Sequence, residues 1–304
     1  MTSGAVALAP AGPLAEALAP AVSAGGALLT EDPRKAAALV WCHHRPGPLA
    51  ELLAQAPGLG WVQLPYAGIE EFRGLLDDKR AWTCAKGVYG PAVAEFALGL
   101  MLAGLRRIDR YARAREWEPL AQRTLAGARV AILGAGGIGQ ALARLLGCLG
   151  AEAILVSRSG APLPGLDTRP ESATMEVVAG ADVVVLALPL TPETTGLVDA
   201  SFLAAMKEDA YLVNVARGQV VETAALVAAL EEGRLGGAAL DVTDPEPLPA
   251  GHRLYELDNV IVSPHVANTP EIGTAALFAL VKENTRRFLS NEPLLGLVEP
   301  ALGY

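Results

Sequence analysis

Short apolar runs recur along almost the whole chain: AVALAP, AALVWC and WVQLP early, then ARVAIL, AILVS, DVVVLAL, YLVNVA, GAALDV and NVIVS. None alternates strictly between apolar and polar residues, and stretches of helical character separate them. A strand with one wet face alternates, whereas a strand covered on both faces does not. The pattern therefore predicts parallel sheets flanked by helices on both sides, a doubly wound α/β fold class. A chain of 304 residues exceeds one ordinary core, so two such domains are expected.

Charge excludes some functions. A formal net charge of −9 argues against a large nucleic-acid footprint or an acidic membrane surface as partner, leaving room only for a small basic site. The start, MTSGAVALAPAGPLAE, has no basic lead-in and is broken by Pro10 and Pro13. No uncharged run reaches the roughly 20 residues a spanning helix needs. A cytoplasmic protein without a membrane span is expected. Cys42, Cys84 and Cys148 are odd in number and far apart, matching neither a disulfide framework nor a zinc site. They read as buried reduced thiols, and no metal is expected.

The stretch PAVAEFALGLMLAGLRR, from Pro91 to Arg107, opens with proline and is apolar nearly all round, with Glu95 its only acid. It predicts a buried or interface helix, and its length to Leu105 is a candidate dimer surface. A charged, amphipathic stretch, DRYARAREWEPLAQRTLAG, follows. A domain boundary is expected near residue 95. After Ala267 the chain holds one helix that cannot form a core alone, so residues 268–304 are expected to return to residues 1–95, with 96–267 inserted as a dinucleotide domain.

ARVAILGAGGIGQALARLLGCLGAE places Gly134, Gly136 and Gly139, with Gly137 and Ile138 between them, at a strand-to-helix turn. The first glycine permits the tight turn, the second lets a diphosphate approach the backbone, and the third lets helix and strand pack closely. The helix start adds exposed amides that attract an anion. The next strand ends in LVSRSG, where an NAD site ordinarily carries an acid for the ribose 2′-hydroxyl. Ser157 stands there instead, followed by Arg158. A carboxylate repels a 2′-phosphate, whereas an arginine binds one through its planar fork. Two readings of Arg158 stand: a 2′-phosphate ligand, or a solvated loop residue.

Three further strand ends carry chemistry. YLVNVARGQVVET ends with Arg217-Gly218, AALDVTDPEPLP carries Asp241 and Glu246, and NVIVSPHVANT carries Pro264-His265. In an open parallel sheet ligands lie outside the carboxyl ends of the strands, so these groups can converge despite their separation in sequence. Together with LPYAGIE, VYGPAVAEFALGLML, LAGARVAILGAGGIG, LALPLTPETTGLV and SPHVAN, in this order and spacing, they resemble the D-isomer-specific 2-hydroxyacid dehydrogenases over most of the chain.

The resemblance implies a nucleotide domain inserted into a discontinuous substrate domain, and a homodimer formed through the former. It implies His265 as acid/base, Glu246 as its partner, and Arg217 as the group that binds the substrate carboxylate and polarises the 2-oxo group. It also implies Asp241 at the nicotinamide carboxamide, cofactor contacts from Leu188, Pro189, Thr194, Ala216, Arg217 and His265, and carboxylate binding by the loop Tyr66-Ala67-Gly68. The residue types suit the reaction: a protonated imidazole supplies a proton to a forming alkoxide, and an arginine stabilises charge on oxygen.

Two departures bear on specificity. The missing acid at the adenosine strand end matches the NADP-preferring glyoxylate/hydroxypyruvate reductase members, so NADP(H) is the expected cofactor, with NAD(H) the alternative. Tyr66 is bulky, and either limits the substrate side chain or seals the core. The expected activity is reduction of a small 2-oxo acid to the D-2-hydroxy acid. A cofactor-sensing corepressor of the same family is the contrasting reading; formate dehydrogenase is disfavoured because Glu246 stands where that enzyme has a neutral glutamine. His43 and His44, beside Arg45 in a loop without metal-ligand spacing, are either surface residues or a border of the substrate cleft. Glu95 is read as structural or near the pocket.

Overall fold

A computed structural model describes residues 4–300. The chain forms two compact units. One ends at Tyr89 and resumes at Thr269; the other is Gly90–Asn268.

The first unit opens with β1 (Ala5–Ala9), α1 (Pro13–Ala24), β2 (Leu28–Thr30), β3 (Ala38–Trp41), α2 (Gly47–Gln55), β4 (Trp61–Gln63) and β5 (Ala81–Thr83). Proline in the first turn of α1 has its ring angle preset for the helix and loses no hydrogen bond there. The strands pair in parallel in the order β2-β1-β3-β4-β5. Every residue of β3 and β4 is buried, which is why their sequences carry no alternation.

The second unit contains α3 (Gly90–Leu105), α4 (Ile108–Arg113), β6 (Arg129–Leu133), α5 (Gly137–Cys148), β7 (Glu152–Ser157), β8 (Asp167–Pro170), α6 (Thr174–Ala179), β9 (Val183–Leu186), α7 (Ala200–Ala205), β10 (Tyr211–Asn214), α8 (Thr223–Glu231), β11 (Gly237–Leu240) and β12 (Val260–Val262). All strands are parallel, in the order β12-β11-β10-β9-β6-β7-β8. From β6 the chain goes outward to β7 and β8, then crosses to β9 on the other side. The strand order thus reverses between β6 and β9, the position at which open α/β sheets form a crevice.

The division puts all of α3 in the second unit, so the boundary expected near residue 95 falls inside that helix. Val93, Ala97, Leu100 and Met101 face the core, while Phe96, Leu98, Leu102 and Ala103 are half-buried on its other sides. The amphipathic stretch that follows is helical only through Arg113. Pro119 restricts Glu118 to extended backbone, and Trp117 stands fully exposed.

The return to the first unit is α9 (Pro270–Leu289), which packs along α1. A Cβ at Gly25 would lie 2.6 Å from the Thr285 Cβ, so the two helices meet at a point where only glycine fits. A buried polar network completes the contact. Asn284 Nδ2 donates to Gln63 Oε1 at 2.9 Å and to the Leu295 carbonyl at 3.0 Å, and its Oδ1 accepts from Leu295 N–H at 2.8 Å. Thr83 Oγ1 donates to the same Gln63 oxygen and accepts from Trp61 Nε1, both at 2.8 Å. With Gln63, Thr83 and Asn284 fully buried, each group lost from this network leaves others unpaired.

Candidate active site

Gly134, directly after β6, has φ of +119°, and a Cβ there would lie 2.2 Å from the Ala187 carbonyl oxygen. A Cβ on Gly139 would lie 2.0 Å from the Gly134 oxygen. Gly136 differs: nothing lies within 4 Å of its Cβ position. Two glycines are thus demanded by packing and the third leaves open space. Gly137 and Ile138 begin α5, whose cap, Gly136, offers no side-chain hydrogen bond. An uncapped helix start beside open space, at the reversal of strand order, fits a dinucleotide diphosphate.

Ser157 ends β7, and its hydroxyl accepts from Gly160 N–H at 3.2 Å; Ser159 accepts from Ala161 N–H at the same distance. Each hydroxyl keeps its own proton for donation. Arg158, between them, is exposed. Leu188 and Pro189 follow β9, next to β6 in the sheet. Thr194 Oγ1 accepts from Thr191 N–H and donates to the Pro189 carbonyl, both at 2.8 Å, closing the turn that carries Pro189.

The carboxyl ends of β10, β11 and β12 bring the acid/base candidates together. His265 Nδ1 lies 2.7 Å from Glu246 Oε1. A carboxylate only accepts, so Nδ1 carries the proton of this bond and Nε2 is the nitrogen left for a substrate. Both side chains are about half exposed, as a group that must meet substrate needs to be. Arg217 is half-buried after β10 and donates to the Ala216 carbonyl at 2.7 Å. Ala216 is buried and offers only its backbone. The next residue, Gly218, lies hard against the Thr243 carbonyl, where a Cβ would come within 1.9 Å. The arginine turn is therefore pressed onto the base of the Glu246 loop.

Asp241, 2% exposed, accepts the Ser263 hydroxyl at 2.7 Å and Val266 N–H at 2.9 Å on Oδ1, and Ala267 N–H at 3.0 Å on Oδ2. Three residues with hydroxyls near this site gave no signal in the sequence: Ser263, Thr223, which donates to the Asp244 carbonyl at 2.7 Å, and Thr243, which donates to the Pro245 carbonyl at 2.9 Å. Hydroxyls at strand ends and helix starts are too common for spacing to single them out.

In the first unit, Tyr66, Ala67 and Gly68 follow β4. Tyr66 is 43% exposed, so of its two readings sealing the core is ruled out. Burial of its remaining surface, with Cys42 nearby, pushes its hydroxyl above the ordinary phenol range. Tyr89 donates to the Pro65 carbonyl at 2.6 Å and anchors the loop from below. His43 and His44 stack, ring centroids 4.4 Å apart, and His43 Nδ1 accepts from Arg45 N–H at 3.0 Å. Glu95 is exposed on α3. The cysteines are all free, but only Cys84 is buried: Cys42 is half-buried and Cys148 exposed, which corrects the expectation of three buried thiols. Burial pushes the Cys42 thiol up to about 12. Among the described residues no group of three His, Cys, Asp or Glu side chains could hold a metal, and no helix is long and apolar enough to cross a membrane.

Residues 98–267 match the family model for the NAD binding domain of D-isomer specific 2-hydroxyacid dehydrogenase. A glyoxylate reductase from Thermofilum pendens is 34% identical over 270 residues, covering 81% of this chain and 79% of that protein. A D-isomer specific 2-hydroxyacid dehydrogenase from Xanthobacter autotrophicus Py2, solved with NADPH and MES, superposes with a TM-score of 0.87 at 33% identity, covering 99% of this chain and 100% of that one. An NADPH-dependent glyoxylate/hydroxypyruvate reductase from Sinorhizobium meliloti, solved with NADP and sulfate, gives 0.83 at 28% identity and 99% coverage of both.

Proposed function

We propose, from the premise that the chain belongs to the D-isomer specific 2-hydroxyacid dehydrogenase family, that it reduces a small 2-oxo acid of the glyoxylate or hydroxypyruvate type to the D-2-hydroxy acid with NADPH. It is an NAD(P)-dependent enzyme of that family. The observation that carries the reading is the 2.7 Å bond between His265 and Glu246 at neighbouring strand ends.

Bound reduced nicotinamide supplies the hydride. His265, its Nδ1–H held by Glu246, presents Nε2 and gives its proton to the developing alkoxide oxygen. The Glu246 carboxylate accepts from Nδ1–H and fixes the orientation of the ring. Arg217 binds the substrate carboxylate and stabilises negative charge on the 2-oxo oxygen. The start of α5 takes the diphosphate. Ser157 and Arg158 take the 2′-phosphate, with hydroxyl donation from one and the planar guanidinium fork of the other. Support for the substrate and cofactor comes from the activity in the Thermofilum relative's name and from the NADPH and NADP in the two solved relatives. The half-buried apolar sides of α3 support a homodimer formed there.

Steady-state kinetics with NADPH and NADH against glyoxylate, hydroxypyruvate and larger 2-oxo acids tests the reading. It fails if no 2-oxo acid turns over, or if NADH is preferred.

A further inference from the structure

The turn that carries His265 gives a full account of its amides. Ser263 N–H goes to the Leu240 carbonyl at 2.9 Å, and Pro264 has no N–H. His265 N–H is shared between the Asp241 carbonyl at 2.8 Å and the Ser263 carbonyl at 3.0 Å. Val266 and Ala267 N–H go to the two oxygens of the Asp241 carboxylate, and the Ser263 hydroxyl goes to the first of these. One buried residue thus accepts hydrogen bonds from Ser263, His265, Val266 and Ala267. At the centre of the turn His265 has φ of +54°, a left-handed conformation that a residue with a side chain keeps only where its surroundings hold it. Asp241 also begins the loop that runs to Glu246, so the two halves of the acid/base pair spring from one anchor.

We propose that Asp241 is a positioning residue for proton transfer: its carboxylate imposes the backbone conformation that keeps the His265 ring on Glu246, and the Ser263 hydroxyl completes the clamp. The proposal rests on the reading of His265 as proton donor. A carboxylate has about four acceptor positions, and three of them are taken by this turn. The one remaining position is what a role through the nicotinamide carboxamide would use, so the two roles are told apart by experiment.

The two roles separate in Asp241→Asn, which puts an amide NH2 against amide donors, and in Ser263→Ala, which removes only the hydroxyl. Three quantities are measured in the full-length protein: NADPH Kd by calorimetry, kcat and KM for the best 2-oxo acid, and the ¹⁵N shifts of the His265 ring, which report its tautomer. Positioning predicts that kcat falls about 10–100-fold in Asp241→Asn, the scale of a misplaced reacting group, and less in Ser263→Ala, with recovery in Ser263→Thr. NADPH Kd stays nearly constant, and the Nδ1–H tautomer loses population. The proposal is overturned if NADPH Kd weakens as much as kcat/KM falls while the tautomer is unchanged. Should Asp241→Asn fail to fold, the Ser263 pair decides by the same readouts. If wild type reduces no 2-oxo acid, the functional reading fails, and the tautomer comparison still decides whether Asp241 holds the ring.

Discussion

Nδ1 of His265 lies 2.7 Å from Oε1 of Glu246 although 19 residues separate them in sequence. The bond joins the loop after β11 to the loop after β12, so it exists only when these neighbouring strands are in register. Reduction needs the charged ring. Glu246→Gln keeps an acceptor for the Nδ1–H but removes the charge beside the ring, and is expected to lower kcat/KM about 10-fold or more while NADPH still binds. His265→Ala should lose on the order of 10²–10⁴-fold in rate while NADPH still binds. An unchanged kcat/KM in Glu246→Gln counts against the pair acting as a unit.

Arg158→Ala should weaken NADPH about 10–100-fold, the equivalent of one charge-assisted hydrogen bond of roughly 1.5–3 kcal/mol. NADH, which lacks the phosphate, should change little. Ser157→Asp should go further and invert the preference, since it adds a ribose acceptor and repels the phosphate. The comparison is kcat/KM for both cofactors at one fixed ionic strength, because phosphate contacts are screened by salt. Equal weakening of both cofactors by Arg158→Ala would return that residue to the role of a solvated loop side chain.

Asp182, just before β9, offers a test at low pH. Partial burial works against its carboxylate, but the hydrogen bonds from Lys207 Nζ and Arg129 N–H, both at 2.8 Å, and the charges of Lys207 and Arg123 outweigh it and hold the carboxyl below its ordinary value of 3.8. A carboxyl lowered in the folded state stabilises the fold above about pH 4, and that stability is lost as pH falls through the folded value. Asp182→Asn should therefore cost about 1–2 kcal/mol at pH 7, and the gap from wild type should close toward pH 3 in chemical denaturation. A gap that stays constant over this range removes the charge from the explanation.

Asn284→Ala should destabilise the protein by about 2–4 kcal/mol, because it leaves Leu295 N–H and one contact of Gln63 unpaired in a buried site. Asn284→Asp should cost at least as much: it replaces the donor to Gln63 and to the Leu295 carbonyl with a second acceptor. Thermal unfolding of both variants checks this, and a loss below about 0.5 kcal/mol in each would mean that water replaces the network.

The sequence was legible where strands are mostly buried on both faces. Each of the nine apolar runs became a strand, because strands covered on both faces need no polar positions. The strands with no such signal were β2, β5 and β8, of which β2 and β8 are the outer strands of their sheets and β5 is the far edge of the first. At three or four residues they are too short to show a period, and β8 reads Asp-Thr-Arg-Pro, a composition that an edge tolerates. The three glycines of the nucleotide turn were legible because two are required by contacts at 2.2 Å or less. His265, Glu246 and Arg217 were legible as strand-end residues. Ser263 and the two threonines under the Glu246 loop were not, since their contribution is a direction of a hydroxyl that only the assembled turn defines. The stretch around Trp117 read as charged and amphipathic, and it is helical only through Arg113, with Pro119 disfavouring any continuation.

The return of α9 to the first unit has a consequence for biosynthesis. During translation β1 to β5 leave the ribosome first, yet Gln63 and the face of α1 lack their partners, Asn284 and Thr285, until nearly the whole chain has been made. The residues of the second unit, contiguous in sequence, have all their own contacts available before that moment. The last turns of α9 thus act as the closing step for the earliest residues, and a ribosome stalled before Asn284 holds a chain whose oldest sheet has all its strands but lacks the Asn284 contact on Gln63.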